Sequence, residues 1–140
     1  MKNNLTFTII KPEAFANNNV GPILEMINLN GFRFVAMKMV KMNRQKAEVF
    51  YDIHQEKPFF NELIDYMTSG PVVVAVVEKS NAVEHFRELI GSTDPSKAQL
   101  GTIRRMFAKS KANNAIHGSD SDENAKREIE LFFSPDEIFL

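Results

Sequence analysis

Apolar positions in this chain fall into short runs whose period changes along the sequence. LTFTII at Leu5–Ile10 is β-rich and stops at Lys11-Pro12, because proline cannot continue a central strand's ladder. Val20, Ile23, Leu24 and Ile27 then recur at helical spacing, with Gly31 as the stop. FRFVAMKMVKM at 32–42 predicts a second strand with Val35, Met37 and Met39 on one face, the methionines serving as core filling. Two helices are expected next, at about 44–54 with Asn43 as cap and at about 60–69, ended by Gly70-Pro71. VVVAVV at 72–77 is apolar on both faces, as a central strand covered on both sides requires. Asn81 and Glu84 have the spacing of a capping box and open a helix that closes at Gly91. After the polar STDPSKAQ come a short helix in TIRRMF, a short strand near His117, and a last helix over about 121–133.

The resulting order is β-α-β-(αα)-β-α-loop-(β)-α, with no internal repeat and no low-complexity tract. It predicts an α+β fold: a ferredoxin-like βαββαβ sandwich, its four-stranded antiparallel sheet interrupted by a helical pair before the third strand. A length of 140 residues fits a single domain over 1–140. That architecture hosts many activities, so function must be read from particular residues.

Composition narrows the classes. Hydrophobic content of 44% and charged content of 25% are those of an ordinary globular chain. A net charge of −1 gives no global field to attract nucleic acid or membrane phosphates, so an anion site needs a local cluster of cations. The absence of cysteine removes disulfides and thiolate chemistry and fits a reducing cytosol. The apolar run before Lys11 is too short for a leader or a membrane span, so neither secretion nor a membrane partner is expected and a cytoplasmic location is.

Several charges stand in unexpected places. In the last helix Ala125, Ile129 and Phe132 form an apolar stripe, and Glu128 lies inside it with no cation at i±3 or i±4. Its carboxylate either finds a partner elsewhere in the chain or snorkels to water. Arg87 lies between Val83, Phe86 and Ile90 in the preceding helix, with Glu84 as a local partner. Lys11 ends a strand where open sheets bind ligands. Arg104 and Arg105 read by default as surface charge, and His54 and His85 as surface or boundary histidines.

His117 differs, because Gly118, Ser119, Asp120 and Ser121 follow it directly. The glycine allows a sharp turn and close approach of an anion, and the polar residues supply local hydrogen bonds and a helix cap. Glu128 is then carried back past this loop. A carboxylate on one ring nitrogen leaves the other nitrogen's lone pair free, which makes His117 a candidate nucleophile or general base. The glycines form neither of the Gly-rich phosphate-loop signatures, no H-E-x-x-H is present, and three scattered histidines form no metal motif. No direct protein ligand to a metal is expected.

At NNAIHGSDS the chain resembles the nucleoside diphosphate kinases, whose motif is an asparagine, two variable residues, then His-Gly-Ser-Asp; Asn114 to Asp120 match it. TIIKPEA resembles that family's first strand and its Lys-Pro-Asp/Glu turn, FYDIHQEKPFFNELIDYMTSGPVVV its helical insertion and third strand, and GTIR its pre-catalytic helix. The resemblance implies ping-pong transfer of the γ-phosphate of ATP, or of another nucleoside triphosphate, to nucleoside diphosphates through a phosphohistidine at His117. It implies that Glu128 orients the imidazole and Ser119 steadies Glu128. Lys11 and Tyr51 would meet the transferred phosphate, with Lys11 and Asn114 also at the ribose. Arg87, Thr93 and Arg104 would hold the β-phosphate, and Phe59 would stack on the base beside Leu63. Mg²⁺, carried by the nucleotide phosphates, is the implied cofactor, and a homo-oligomer, a hexamer rather than a tetramer, the implied assembly. A histidine phosphocarrier acting on protein partners shares His117 but gives no joint role to Phe59, Arg87 and Arg104. A nucleic-acid module on the same fold has no glycine–aromatic run to support it.

The chain departs from the family's common pattern at Leu100, Arg105, Met106 and Asn113, and it ends at Leu140 without the longer tail of many members. These departures bear on loop packing and assembly rather than on the matched chemical residues.

Overall fold

β3 (Val72–Glu78) is the centre of a four-stranded sheet in the order β2-β3-β1-β4, formed with β1 (Leu5–Ile10), β2 (Arg33–Val40) and β4 (Ile116–Gly118). The computed structural model describes residues 3–140, apart from the side chain of Ile53. Met1 and Lys2, where the expectation of no leader begins, lie outside the described residues. All three strand pairings are antiparallel. The six apolar residues of β3 are all buried because each face of the sheet is covered by a separate layer.

On one face, Val73 and Val77 pack with Ile10, Ile23, Ile27, Phe86 and Ile103. Apart from Ile10 of β1, these come from α2 (Val20–Leu29), α5 (Ala82–Ile90) and α6 (Ile103–Phe107). On the other face Phe7, Ile9, Val72, Val74 and Val76 meet Ala47, Phe50, Ile64, Met67 and Phe132. That layer is α3 (Arg44–Phe50), α4 (Phe60–Met67) and α7 (Asp122–Phe132). The helical insertion and the last helix therefore close the side that a bare βαββαβ unit leaves open. Among the described residues no helix is long and apolar enough to cross a membrane.

Several local expectations need correction. Val35, Met37 and Met39 do not share a buried face: Val35 is buried, but Met37 and Met39 are 49% and 65% exposed. A bulge between Phe34 and Ala36 breaks the period-two alternation, and β2 is an edge strand. Asn81 makes no capping box with Glu84, since it sits in the left-handed region at φ 53°, where its side chain caps nothing. The first insertion helix ends at Phe50, followed by a 3-10 turn at Asp52–His54. A short helix, α1 (Pro12–Ala16), follows Lys11 directly with proline at its first position. Asn43, Thr102 and Ser121 each cap a helix by accepting a backbone N–H.

Candidate active site

His117 is the middle residue of β4 and pairs with Ile9 of β1, which turns its ring toward the aromatic layer. Phe50 stands edge-on to the imidazole at 5.0 Å between ring centroids, and Phe7 lies at 6.2 Å. Imidazole Nε2 is 2.9 Å from Glu128 Oε1. The same oxygen accepts the Ser119 hydroxyl at 2.7 Å, and Ser119 Oγ in turn accepts the Phe7 N–H at 3.3 Å. Glu128 is thus buried and partnered rather than snorkelling, which resolves the oddity in the apolar stripe of α7. A carboxylate acceptor makes Nε2 the protonated nitrogen of a neutral ring, so the Nδ1 lone pair is the free one.

Gly118 does not serve the sharp turn expected of it. It lies within β4, paired with Thr8, and a Cβ there would come 2.9 Å from Phe86 Cδ2 and 3.0 Å from Ile90 Cδ1. Its missing side chain lets α5 pack directly on the strand that carries His117.

Beside the imidazole is a cavity of about 710 Å³. Every residue expected at the site lines it except Ser119, which is fully buried behind Glu128. Lys11 is buried, and its Nζ donates to Asn114 Oδ1 at 2.7 Å. Burial, then the charge of Arg104, lowers its pKa to about 7 against the opposing pull of Glu13. Arg104 is not surface charge: it is 7% exposed, donating to Gly91 O at 2.9 Å and Ile116 O at 2.8 Å, with Nε buried and unpartnered. Burial and the neighbouring Arg87 lower its pKa to about 10.

Arg87 is exposed at the rim, with no ion pair to Glu84 among the described residues. The buried face of α5 is instead Ala82, Val83, Phe86, Leu89 and Ile90. Three cations held this close, two of them destabilised by burial, form a site suited to a polyanion. The Tyr51 hydroxyl is buried without a partner, and burial together with Glu128 raises its pKa. Phe59, the residue before α4, is 45% exposed at the cavity with Leu63 nearby, and Thr93 is exposed at the rim.

Ala115 precedes this strand at φ 74°, a conformation that costs a non-glycine residue about 1–3 kcal/mol. Among the described residues no group of three or more His, Asp or Glu side chains stands close enough to hold a metal ion. Glu128 is occupied by His117 and Ser119, and Asp120 Oδ1 accepts from Asn124.

A family model for nucleoside diphosphate kinase matches residues 4–138. The chain belongs to the nucleoside diphosphate kinase family. The enzyme is 57% identical over 129 residues to the nucleoside diphosphate kinase of Lawsonia intracellularis, covering 92% of this chain and 94% of that one. It is 54% identical to that of Nitratiruptor sp., covering 95% and 97%. The solved nucleoside diphosphate kinase of Aquifex aeolicus superposes with a TM-score of 0.94 at 43% identity, covering 96% of this chain and 98% of that one. A halophilic relative from Halobacterium salinarum, solved in complex with CDP, gives 0.93 at 36% identity, covering 97% and 91%. The activity is therefore phosphoryl transfer between nucleoside triphosphates and diphosphates, on the ferredoxin-like α+β fold.

Sequence reasoning missed other residues that line this cavity. His54, read as a boundary histidine, lines the cavity, and its Nδ1 is buried without a partner. Its ring centroid lies 5.7 Å from that of Phe59. Phe50 was legible only as an apolar helix position, because nothing local tells which core side chain faces an imidazole. Arg127 sits next to Glu128, and its guanidinium donates to Val49 O at 2.6 Å, tying α7 to the end of α3.

Proposed function

We propose that His117 Nδ1 attacks the γ-phosphorus of a bound nucleoside triphosphate. The N–P bond forms as the bond from phosphorus to the β,γ-bridging oxygen breaks, and the diphosphate leaves with that electron pair. A terminal oxygen of a second diphosphate then attacks the phosphohistidine, and Nδ1 regains its lone pair. The observation that carries this reading is the 2.9 Å contact of Nε2 with Glu128, which leaves Nδ1 as the free nitrogen beside three cations.

Lys11 and Tyr51 meet the transferred phosphate, and Arg87, Thr93 and Arg104 hold the β-phosphate. Lys11 and Asn114 reach the ribose, while Phe59 and Leu63 take the base on a platform with little edge reading, so every base is accepted. Such transfer is mostly positioning and charge stabilisation. The cavity is rich in cations and its best-placed carboxylate is occupied, which supports a Mg²⁺ ion held through the nucleotide phosphates. When bound, that ion supplies further charge neutralisation.

One domain over 1–140 carries the whole activity, acting in the cytoplasm on the nucleotide pools. Exposed apolar side chains at Leu29, Met39, Leu100 and Met106 support burial between subunits, and we favour a hexamer over a tetramer. Light scattering of the purified protein tests that assembly.

The chemistry is tested with γ-labelled ATP and Mg²⁺. The expected result is an acid-labile, base-stable label that ADP discharges and that a His117→Ala variant lacks. Label that survives the substitution removes His117 as the nucleophile.

A further inference from the structure

Glu13 belongs to none of the groups assigned so far and does not line the cavity, yet its carboxylate is built into the chain just before the histidine. Oε1 accepts the Ala115 N–H at 3.0 Å and the Tyr66 hydroxyl at 3.1 Å. The Ala115 carbonyl accepts the Lys11 N–H at 2.9 Å. Both backbone polar groups of Ala115 are therefore held from the Lys11–Glu13 segment. Ala115 itself is a non-glycine residue at φ 74°, and Ile116 N–H donates to Asn114 O at 2.9 Å across it. That pattern is a γ-turn of positive φ, a rare and strained form that persists only where the surroundings hold it.

This turn sets three things at once. Asn114, before it, accepts from Lys11 Nζ; the Ile116 carbonyl, after it, accepts from Arg104; His117 follows next in the chain. We propose that Glu13 is a positioning residue which holds Ala115 in its left-handed turn and so sets Asn114, Arg104 and His117 relative to one another. Its action is geometric, through the accepted N–H. The Glu13 charge also opposes the loss of the Lys11 proton, so charge and geometry must be separated experimentally.

The inference rests on the phosphohistidine reading, and single-turnover labelling with γ-labelled ATP distinguishes the two. Wild type that takes no label defeats the reading itself. Given a labelled wild type, Glu13→Met keeps the side chain's bulk but removes the acceptor, and labelling should slow about tenfold to a hundredfold, as for a misplaced reacting group. ADP affinity should change far less. Glu13→Gln keeps an oxygen for Ala115 N–H and should retain most of the rate without the charge. Glycine adopts positive φ without strain, so adding Ala115→Gly to Glu13→Met should recover the larger part of the loss.

A Glu13→Met rate equal to wild type, a slow variant that glycine does not rescue, or a Glu13→Gln as slow as Glu13→Met overturns the inference. Should Glu13→Met fail to fold, the double variant must fold and label; a double variant that is also unfolded overturns it equally.

Discussion

His117 Nε2 and Glu128 Oε1 lie 2.9 Å apart, across a separation of 11 residues that carries the chain from the edge strand β4 into the second turn of α7. The contact fixes both the tautomer and the aim of the ring, since Ser119 holds the same carboxylate oxygen from behind.

Glu128→Gln should lower kcat by at least about tenfold, as loss of the carboxylate behind an active-site histidine does elsewhere, and leave nucleotide affinity nearly intact. Steady-state kinetics with calorimetric ADP binding measure the split. Unchanged turnover shows the carboxylate to be purely structural.

Lys11 gives a pH signature. Its pKa is about 7 in the ligand-free fold and near 10.5 when unfolded. Below pH 7 the buried ammonium is present in full, with its cost to stability. Between pH 7 and 10.5 the unfolded chain holds a proton that the native chain lacks, so this group's contribution makes stability rise with pH. Phosphates favour the ammonium form, so ADP binding at about pH 8 should take up a proton. Calorimetry in two buffers of different ionisation enthalpy reads that uptake, and Lys11→Met should abolish it. A wild type that binds without proton uptake contradicts the assignment.

Phe59→Ala should raise KM for purine and pyrimidine diphosphates by similar factors, about fivefold to a hundredfold for a lost stacking contact. Losses confined to one base type point to edge recognition instead. Kinetics with four nucleoside diphosphates decide between them.

Gly118→Ala should destabilise the fold by about 1–3 kcal/mol, the usual effect of an added methyl in a filled core. The new Cβ meets Phe86 and Ile90, and any retreat of β4 moves His117 from Glu128. Urea denaturation and kcat measured on one preparation should fall together. Unaltered stability removes the packing role assigned to this glycine.

The chain's local order was legible in its periodicities. LTFTII, the doubly apolar VVVAVV and the stripe of α7 mark their elements because burial on one or both faces imposes a spacing of its own. Sequence also marked Glu128 as misplaced, since a carboxylate in an apolar stripe with no local cation needs either a distant partner or a route to water. What spacing could not carry was any fact set by two segments meeting. The bulge that exposes Met37 and Met39 depends on pairing with β3, and the packing of Gly118 depends on α5 lying over it.

The burial of Arg104 and Lys11 has the same origin. Each reads locally as an ordinary solvated cation, and only the crossing of β1, α6 and the chain before β4 removes their water and gives them one another. By itself the sequence determined the four strands and the longer helices in their order, the motif around His117 and the misplaced carboxylate of Glu128. Tertiary structure alone decided which imidazole nitrogen is free, which cations share the cavity, and that Glu13 braces a strained turn. Those are distances between residues far apart in the chain, and no local propensity contains them.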